Sequence, residues 1–318
     1  MAEQILPFEK RLFELRALMN QAGSEEERLQ WQAQFERERD ALYRNLTPWQ
    51  RIQLARHPQR PRMLYYTQSI FDDFVELHGD RAVGDDPAMV CGIACFRGRT
   101  LFVAGQQKGV STEEKVRRNF GMAHPTGYRK ALRVFRLAER LGYPIVTFVD
   151  TPAAHPGIEA EQHGQGPAIA QNLLACASLK TPILSIILSE GGSGGALGIA
   201  MADWVAMFEY AVYMICPPER CAEILWRDAE KKALAAAALR VTAANLKELG
   251  VIDAILPEEG GGAHLNPEAA ADAVADAIAA FLAACDKRTW TVEGRQRKFQ
   301  RMGRWREGLP SGDNRREG

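Results

Sequence analysis

The stretch PILSIILSEGGSGGALGIAMADW, Pro182 to Trp204, decides how the rest of the chain is read. Pro182 to Leu188 is a short apolar run rich in Ile and Leu, bounded by a proline and by glycines, the pattern of a buried strand in a parallel sheet. Four glycines then fall within five residues: Gly191, Gly192, Gly194 and Gly195, around Ser193. They permit a sharp turn and leave main-chain N–H groups uncovered by side chains, just where Gly195 to Met201 starts a helix. Donors at a helix N-terminus attract developing negative charge, and no side-chain acid or base sits inside the cluster. The chemistry this supports is stabilisation of an oxyanion by backbone amides, an effect of about 3–4 kcal/mol per donor. A purely structural strand-to-helix turn is the plainer alternative.

Immediately upstream, Pro144 to Val149 (PIVTFV) is a second buried strand, followed by the loop Asp150 to Gly157 (DTPAAHPG) and a helix from about Glu161 to Leu179. Strand, loop, helix, strand, glycine turn, helix is a right-handed parallel arrangement, so the fold class is α/β. Both loops leave the sheet at the carboxyl ends of its strands, where such sheets bind ligands. An amide from Ala153 or Ala154 can therefore converge with those of Gly194 and Gly195 on one oxygen. Of the six histidines only His155 lies in the loop facing the glycine turn; a contact to substrate and a local hydrogen bond are both open to it.

Further upstream, Met89 to Phe96 and Thr100 to Ala104 read as a hairpin joined across Arg97-Gly98-Arg99. Gly105 to Pro125 is polar and weakly periodic, a functional loop whose Lys108, Lys115, Arg117 and Arg118 either meet phosphates or an acidic cofactor tail, or are solvated. Thr126 to Leu141 is an amphipathic helix stopped by Gly142. Residues 3 to 45 form an αα-hairpin, its second helix opened by a capping box at Ser24, with narrow apolar stripes suited to assembly. One helix starts at Thr47-Pro48 and ends near His57, and another follows Pro61 with Leu64, Phe71, Phe74 and Val75 on one face. Downstream come strands at Trp204 to Phe208, Ala211 to Ile215 and Val251 to Leu256. Helices are expected at Pro217 to Trp226, after Thr242 as far as Gly250, and from Pro267, capped by Asn266, to about Asp286. The domain division is 1–46 for the hairpin, 47–257 for the core and 258–318 for a C-terminal helix and basic tail.

Lys+Arg and Asp+Glu balance at 40 each in 318 residues, so the chain as a whole offers no electrostatic case for nucleic acid or an anionic membrane. The basic stretch Arg288 to Arg316 reads as a solvated tail. No apolar run approaches the ~20 residues of a membrane span, and the N-terminus lacks the order of a signal peptide, which places the chain in the cytoplasm. The six cysteines form no CxxC pair and read as buried free thiols. Cys91 and Cys95 share a strand face, but nothing nearby completes a metal site, so no metal is expected in this chain.

Gly191 to Gly195 also fits G-x-S-x-G, the nucleophile elbow of α/β-hydrolases, with Asp253 and His264 following Ser193 in the required order. Dinucleotide binding fails on spacing, because position 197 is leucine where glycine or alanine is needed. No GxxxxGK[ST] occurs, so the chain itself is not expected to hydrolyse ATP.

Taken in order, LARHPQRP (Leu54 to Pro61), HGDRA (His78 to Ala82), QKG…RRNFGM (Gln107 to Met122), GYRKALR (Gly127 to Arg133), DTPAAHPG, EGGSGGAL (Glu190 to Leu197) and PPERCAEILW (Pro217 to Trp226) resemble the alpha-subunit family of bacterial acetyl-CoA carboxylase carboxyltransferases. The resemblance implies a crotonase-like core and transfer of carboxyl from carboxybiotin, borne on biotin carboxyl carrier protein, to acetyl-CoA, giving malonyl-CoA for fatty acid biosynthesis. It implies a zinc-bearing beta subunit in an α2β2 heterotetramer, with biotin carboxylase and its ATP elsewhere in the complex. It also implies that Gly194 and Gly195 form a backbone oxyanion hole for the ureido oxygen, with Ala153 and Ala154 as further donors. Gly121, Met122, His155, Pro156, Gly157, Glu190, Gly191, Gly192 and Ser193 would be substrate-binding. The α-proton of acetyl-CoA would go to the biotin anion, and a second oxyanion hole, largely from the beta subunit, would hold the enolate. The chain departs from the family where glycine and tyrosine are usual and Ala153 and His155 stand, and a left-handed backbone at Ala153 would be strained. Another crotonase-type acyl-CoA enzyme and a non-catalytic assembly subunit are the other readings.

Overall fold

The structure is a computed structural model that describes residues 5–303. Helices α1 (Lys10–Gln21) and α2 (Glu25–Arg44) pair as the expected hairpin, and the Ser24 hydroxyl caps α2 by accepting from Glu27 N. Leu12, Leu15 and Tyr43 are buried, and Tyr43 packs against Tyr210 of the core with ring centroids 5.4 Å apart. Glu9 Oε1 accepts hydrogen bonds from the Tyr43 hydroxyl and from His264 Nε2, fixing the start of the hairpin to the core.

Helix α3 (Pro48–Ala55) begins with a complete capping box between Thr47 and Gln50, and α4 (Met63–Ile70) follows. The sheet then begins with β1 (Asp73–Glu76), β2 (Met89–Phe96) and β3 (Arg99–Gln106), all antiparallel. The β2–β3 connection needs positive φ at both Arg97 (49°) and Gly98 (74°), the requirement of a two-residue turn that matches strand twist. From β3 onward the pairing is parallel, through β4 (Ile145–Thr151), β5 (Ile183–Gly192) and β6 (Trp204–Phe208) to β8 (Ala254–Leu256). β7 (Val212–Met214) pairs with the far end of β5. Every residue of β4 and β5 is buried, as parallel strands covered by helices require.

Between strands lie α5 (Thr112–Arg117), α6 (Pro125–Leu141), α7 (Ile158–Gln162), α8 (Gln165–Ser178) and α9 (Ser193–Ala200). After β7 come α10 (Pro218–Trp226), α11 (Lys232–Leu239), α12 (Ala243–Glu248), α13 (Pro267–Asp286) and α14 (Val292–Arg301). Helices α6, α8 and α9 pack on one another and on β2 to β5, while α13 packs on α4, β5 and β8.

Three expectations are corrected. The helix after Pro61 stops at Ile70, and Phe74 and Val75 belong to β1, where they pair with Ala94 and Ile93 along the side of β2 that β3 leaves open as an edge. Open N–H and C=O groups on that edge capture the chain in extended form. The helix expected from Glu161 to Leu179 is two helices, divided at Gly164, whose φ of 83° no helix interior holds. The basic stretch after Arg288 is not simply a solvated tail: 292–301 is helical, and Arg295 is 2% exposed. Arg295 forms an ion pair with Asp203 at 2.7 Å and donates to the carbonyls of Cys176, Leu179 and Thr181. The remainder of that stretch beyond residue 303 lies outside the described residues. Helices α5 and α11 stand where the sequence pattern predicts no helix.

Arg295→Ala leaves Asp203 buried without its cation and three carbonyls without a donor. Urea unfolding should show a loss of about 3–5 kcal/mol; a loss under about 1 kcal/mol would mean that α14 does not hold the core.

Candidate active site at the carboxyl edge of the sheet

Strand β5 runs through the first two glycines of the turn, so Ser193, not Gly195, is the first residue of α9. Ser193 is exposed and has a φ of 50°, a left-handed conformation that costs an L-residue roughly 1–2 kcal/mol. The glycines are required by close approach. A Cβ on Gly192 would collide with the carbonyl of Pro152, and one on Gly195 with the Ala153–Ala154 peptide. Gly194 is different, since the nearest atom to a Cβ there is Ile169 Cδ1 at 3.8 Å.

The orientation of α9 is fixed through its carbonyls. Gly195 O accepts from Gln106 Nε2 (2.9 Å) and from the buried Tyr128 hydroxyl (3.0 Å). Gly198 O accepts from Asn172 Nδ2, and Ile199 O from Thr147 Oγ1, which satisfies the C-terminal turn of a short helix. At the other end no side chain caps the helix, and the N–H groups of its first turn have no acceptor within it.

Opposite the turn, Ala153 N donates to Thr151 Oγ1 at 3.2 Å, while Ala154 N lies directly against Gly195. Ala153 is not among the described non-glycine residues with positive φ, so the strain expected of an alanine there does not arise. His155 Nδ1 accepts from Gly157 N at 3.1 Å, and its ring stacks on His124 with centroids 4.0 Å apart. Burial, together with the neighbouring His124, lowers its pKa below the usual histidine value, which keeps the ring neutral at pH 7.

A cavity of about 370 Å³ lies between the two loops. Ala153 to Gly157 form one wall and Ser193 to Gly195 another. Gln165 closes it: Nε2 donates to Ala123 O and His155 O, which fixes the amide, and buried Oε1 has no hydrogen-bond partner among the described residues. Ser193 and Gly194 also border a second, apolar cavity of about 340 Å³ with Leu197, Tyr213, Met214 and Ile215. Gly121, Met122, Glu190, Gly191 and Gly192 do not line the first cavity. Gly121 packs on Lys108 and Asp150 O, and Gly191 on the Tyr213 ring.

Behind the turn lies a buried charge network that sequence reading missed. Lys108 Nζ sits 2.9 Å from Asp150 Oδ1 and 2.6 Å from Glu190 Oε2. Arg62 pairs with Asp150 at 2.9 Å, Arg56 with Glu190 at 2.7 Å, and Arg60 with Glu258 at 2.7 Å. Burial alone would raise the carboxyl pKa values of Asp150 and Glu190, but Lys108 with Arg62, and Lys108 with Arg56, outweigh it and hold both below the ordinary range. The signal in the sequence was the density of cations in LARHPQRPR, Leu54 to Arg62, which belongs over the ends of β4 and β5.

The hydrolase alternative is not supported by the geometry. Asp253 accepts from Val205 N and Lys298 Nζ, His264 belongs with Glu9 and His57, and neither lines a cavity with Ser193. Glu9, His57 and His264 are also the group of potential metal ligands found among the described residues, away from the glycine turn. All six cysteines are free.

The family described as acetyl co-enzyme A carboxylase carboxyltransferase-like matches residues 1–303. The acetyl-coenzyme A carboxylase carboxyl transferase subunit alpha of Cyanothece sp. is 49% identical over 310 residues, covering 94% of this chain and 95% of that one. Its counterpart from Azoarcus sp. is 51% identical over 268 residues, 84% of each chain. Among solved structures, transcarboxylase 12S with methylmalonyl-coenzyme A bound has a TM-score of 0.56 at 19% identity, over 69% of this chain and 41% of that one. A Pseudomonas malonate decarboxylase MdcD-MdcE hetero-dimer has a TM-score of 0.56 at 18% identity, over 69% of this chain and 88% of the other. The shared fold is crotonase-like.

Two outcomes test the site's construction. Gly195→Ala should destroy the turn and destabilise the fold, whereas Gly194→Ala should fold with stability within about 1 kcal/mol of the parent; equal effects would refute the packing described. Asp150 and Glu190 are depressed, so their stabilisation is present above about pH 4 and is lost as pH falls through their lower folded values. Lys108→Met should therefore move the acid-unfolding midpoint to higher pH, and an unmoved midpoint would refute the coupling.

Proposed function

We propose, from the premise that this chain belongs to the acetyl-CoA carboxylase carboxyltransferase alpha-subunit family, that the cavity at the glycine turn holds the carboxyl donor of the reaction. The chain is a biotin-dependent carboxyl transferase subunit that acts on acetyl-CoA together with a beta subunit. The finer reading is a donor of carboxybiotin on a carrier protein, a zinc-bearing beta subunit in an α2β2 complex, and biotin carboxylase using ATP elsewhere in the assembly. The resulting malonyl-CoA would feed fatty acid synthesis in the cytoplasm. Among the described residues no helix is long and apolar enough to cross a membrane.

The residues fit a carboxylated ureido ring on one observation above all: Gln165 Oε1 is a buried, fixed acceptor without a partner at the cavity wall, which suits a ring N–H. The donor supplies the carboxyl group and is left with negative charge on its ureido oxygen. Gly194 N–H and Gly195 N–H, at the start of α9, would hold that oxygen. Ala154 N–H is the better further donor, because Ala153 N–H is already bonded to Thr151. His155, neutral and tied to Gly157, shapes the wall with Pro156 and needs no proton for that role. The apolar cavity beyond Gly194 would offer the acyl group a non-polar wall once the beta subunit covers it.

The test is malonyl-CoA decarboxylation with biotin as acceptor, in the complex reconstituted with a zinc-bearing beta subunit. Gln165→Ala should raise the KM for biotin about tenfold, the loss of one hydrogen bond of roughly 1.4 kcal/mol. Ser193→Ala should keep turnover within a few fold. An unchanged biotin KM in the first variant, or abolished turnover in the second with the complex intact, would overturn the assignment.

A further inference from the structure

Away from the glycine turn, α6 presents Arg129, Arg133, Arg136 and Arg140 at 4-3-4 spacing, on the face opposite its buried Ala131, Val134, Phe135 and Ala138. With Arg81 from the loop between β1 and β2 they line a cavity of about 600 Å³. Like charges at these spacings destabilise a helix, and the chain as a whole carries no net charge, so the concentration is local.

The one carboxylate in the cavity wall is already occupied. Asp80 accepts from the N–H groups of Ala82, Val83 and Gly84 and pairs with Arg129 Nε at 2.8 Å. Arg133 is held by the carbonyls of Gly79 and His78, which fix its guanidinium without neutralising it. Among the described residues none of Arg81, Arg133, Arg136 and Arg140 makes an ion pair. Arg129 Nη2 is buried without a partner. A merely solvated arginine face needs neither a concavity nor guanidinium groups fixed in place beforehand.

We propose that this cavity binds a nucleoside carrying two or more phosphate groups. Planar guanidinium groups on a common face take phosphate oxygens in pairs, and Leu132 and Leu137 give the base an apolar wall. Such phosphates have two sources: a free nucleotide, or the phosphorylated adenosine end of an acyl-CoA. Gln171 borders the cavity, and Gln165, one end of the same helix α8, borders the active site about 9 Å away along the axis. The proposal does not rest on the carboxyl-donor reading.

The test is calorimetric titration of the full chain with adenosine 3′,5′-bisphosphate and with sulfate, at low and at moderate salt. The bisphosphate should bind, more weakly as salt rises, and the double variant R136E/R140E should weaken it at least about tenfold. Arg81→Glu, on the other side of the cavity, gives the same readout independently should the double variant not fold. No binding, binding indifferent to charge reversal, or sulfate binding as tightly as the bisphosphate overturns the proposal. So does loss of the beta subunit in R136E/R140E with nucleotide binding intact, which would make the face a protein contact. Given binding, a raised KM for acetyl-CoA in the reconstituted variant identifies the CoA end as the source; an unchanged KM identifies a free nucleotide, and both support the site.

Discussion

Everything at the carboxyl edge depends on main chain packing directly on main chain. The segment Thr151 to Ala154 lies so close to Gly192 and Gly195 that a single methyl group at either glycine has no room. This contact brings two loops from adjacent parallel strands within reach of one small ligand, and it does so with backbone amides, whose positions do not vary with rotamer. Tyr128 and Gln106 complete the arrangement from below by holding the Gly195 carbonyl, so the peptide groups of the turn cannot rotate to suit a ligand. A site built this way is preorganised, and electrostatic stabilisation of a developing anion is the chemistry that benefits most from preorganisation.

The buried ion pairs serve a different purpose. Arg56, Arg60, Arg62 and Lys108 face Asp150, Glu190, Glu219 and Glu258, so the charges match. Removing charges from water costs most of what their attraction returns, and such networks do little for net stability. Their value here is positional: the segment between α3 and α4 has no regular structure of its own, and its cations find partners at the ends of β4 and β5, on Glu258 just beyond β8 and on Glu219 of α10. Asp150 and Glu190 thus anchor the strand ends from which the loops of the site depart.

Much of this was legible in the sequence because local rules and tertiary structure agreed. The apolar run before Gly191, the caps at Ser24, Thr47, Thr242 and Asn266, and the glycine stop at Gly142 each carry their own signal, and each stands where it was expected. The failures share a physical cause. Phe74 and Val75 fit a helical face, but an open sheet edge decided their conformation; α14 looks like a charged surface segment because Arg295, its one buried side chain, is the type least expected inside. Within the site, the glycine donors could be read from spacing, whereas the free acceptor of Gln165 depends on which carbonyls its amide reaches, and no local pattern encodes that. The charge network was hidden for the same reason, its partners being separated by tens to hundreds of positions along the chain.

The place of Arg295 in the chain has a consequence for biogenesis. The carbonyls of Cys176, Leu179 and Thr181 and the carboxylate of Asp203 are translated about a hundred residues before the guanidinium that receives them. Until α14 is made, that carboxylate and those three carbonyls lack the side chain that pairs with them in the finished fold. Docking of α14 supplies a partner to all four groups at once, so the part of the core built from α8, β5 and the turn before β6 is finished only when residue 295 has been made.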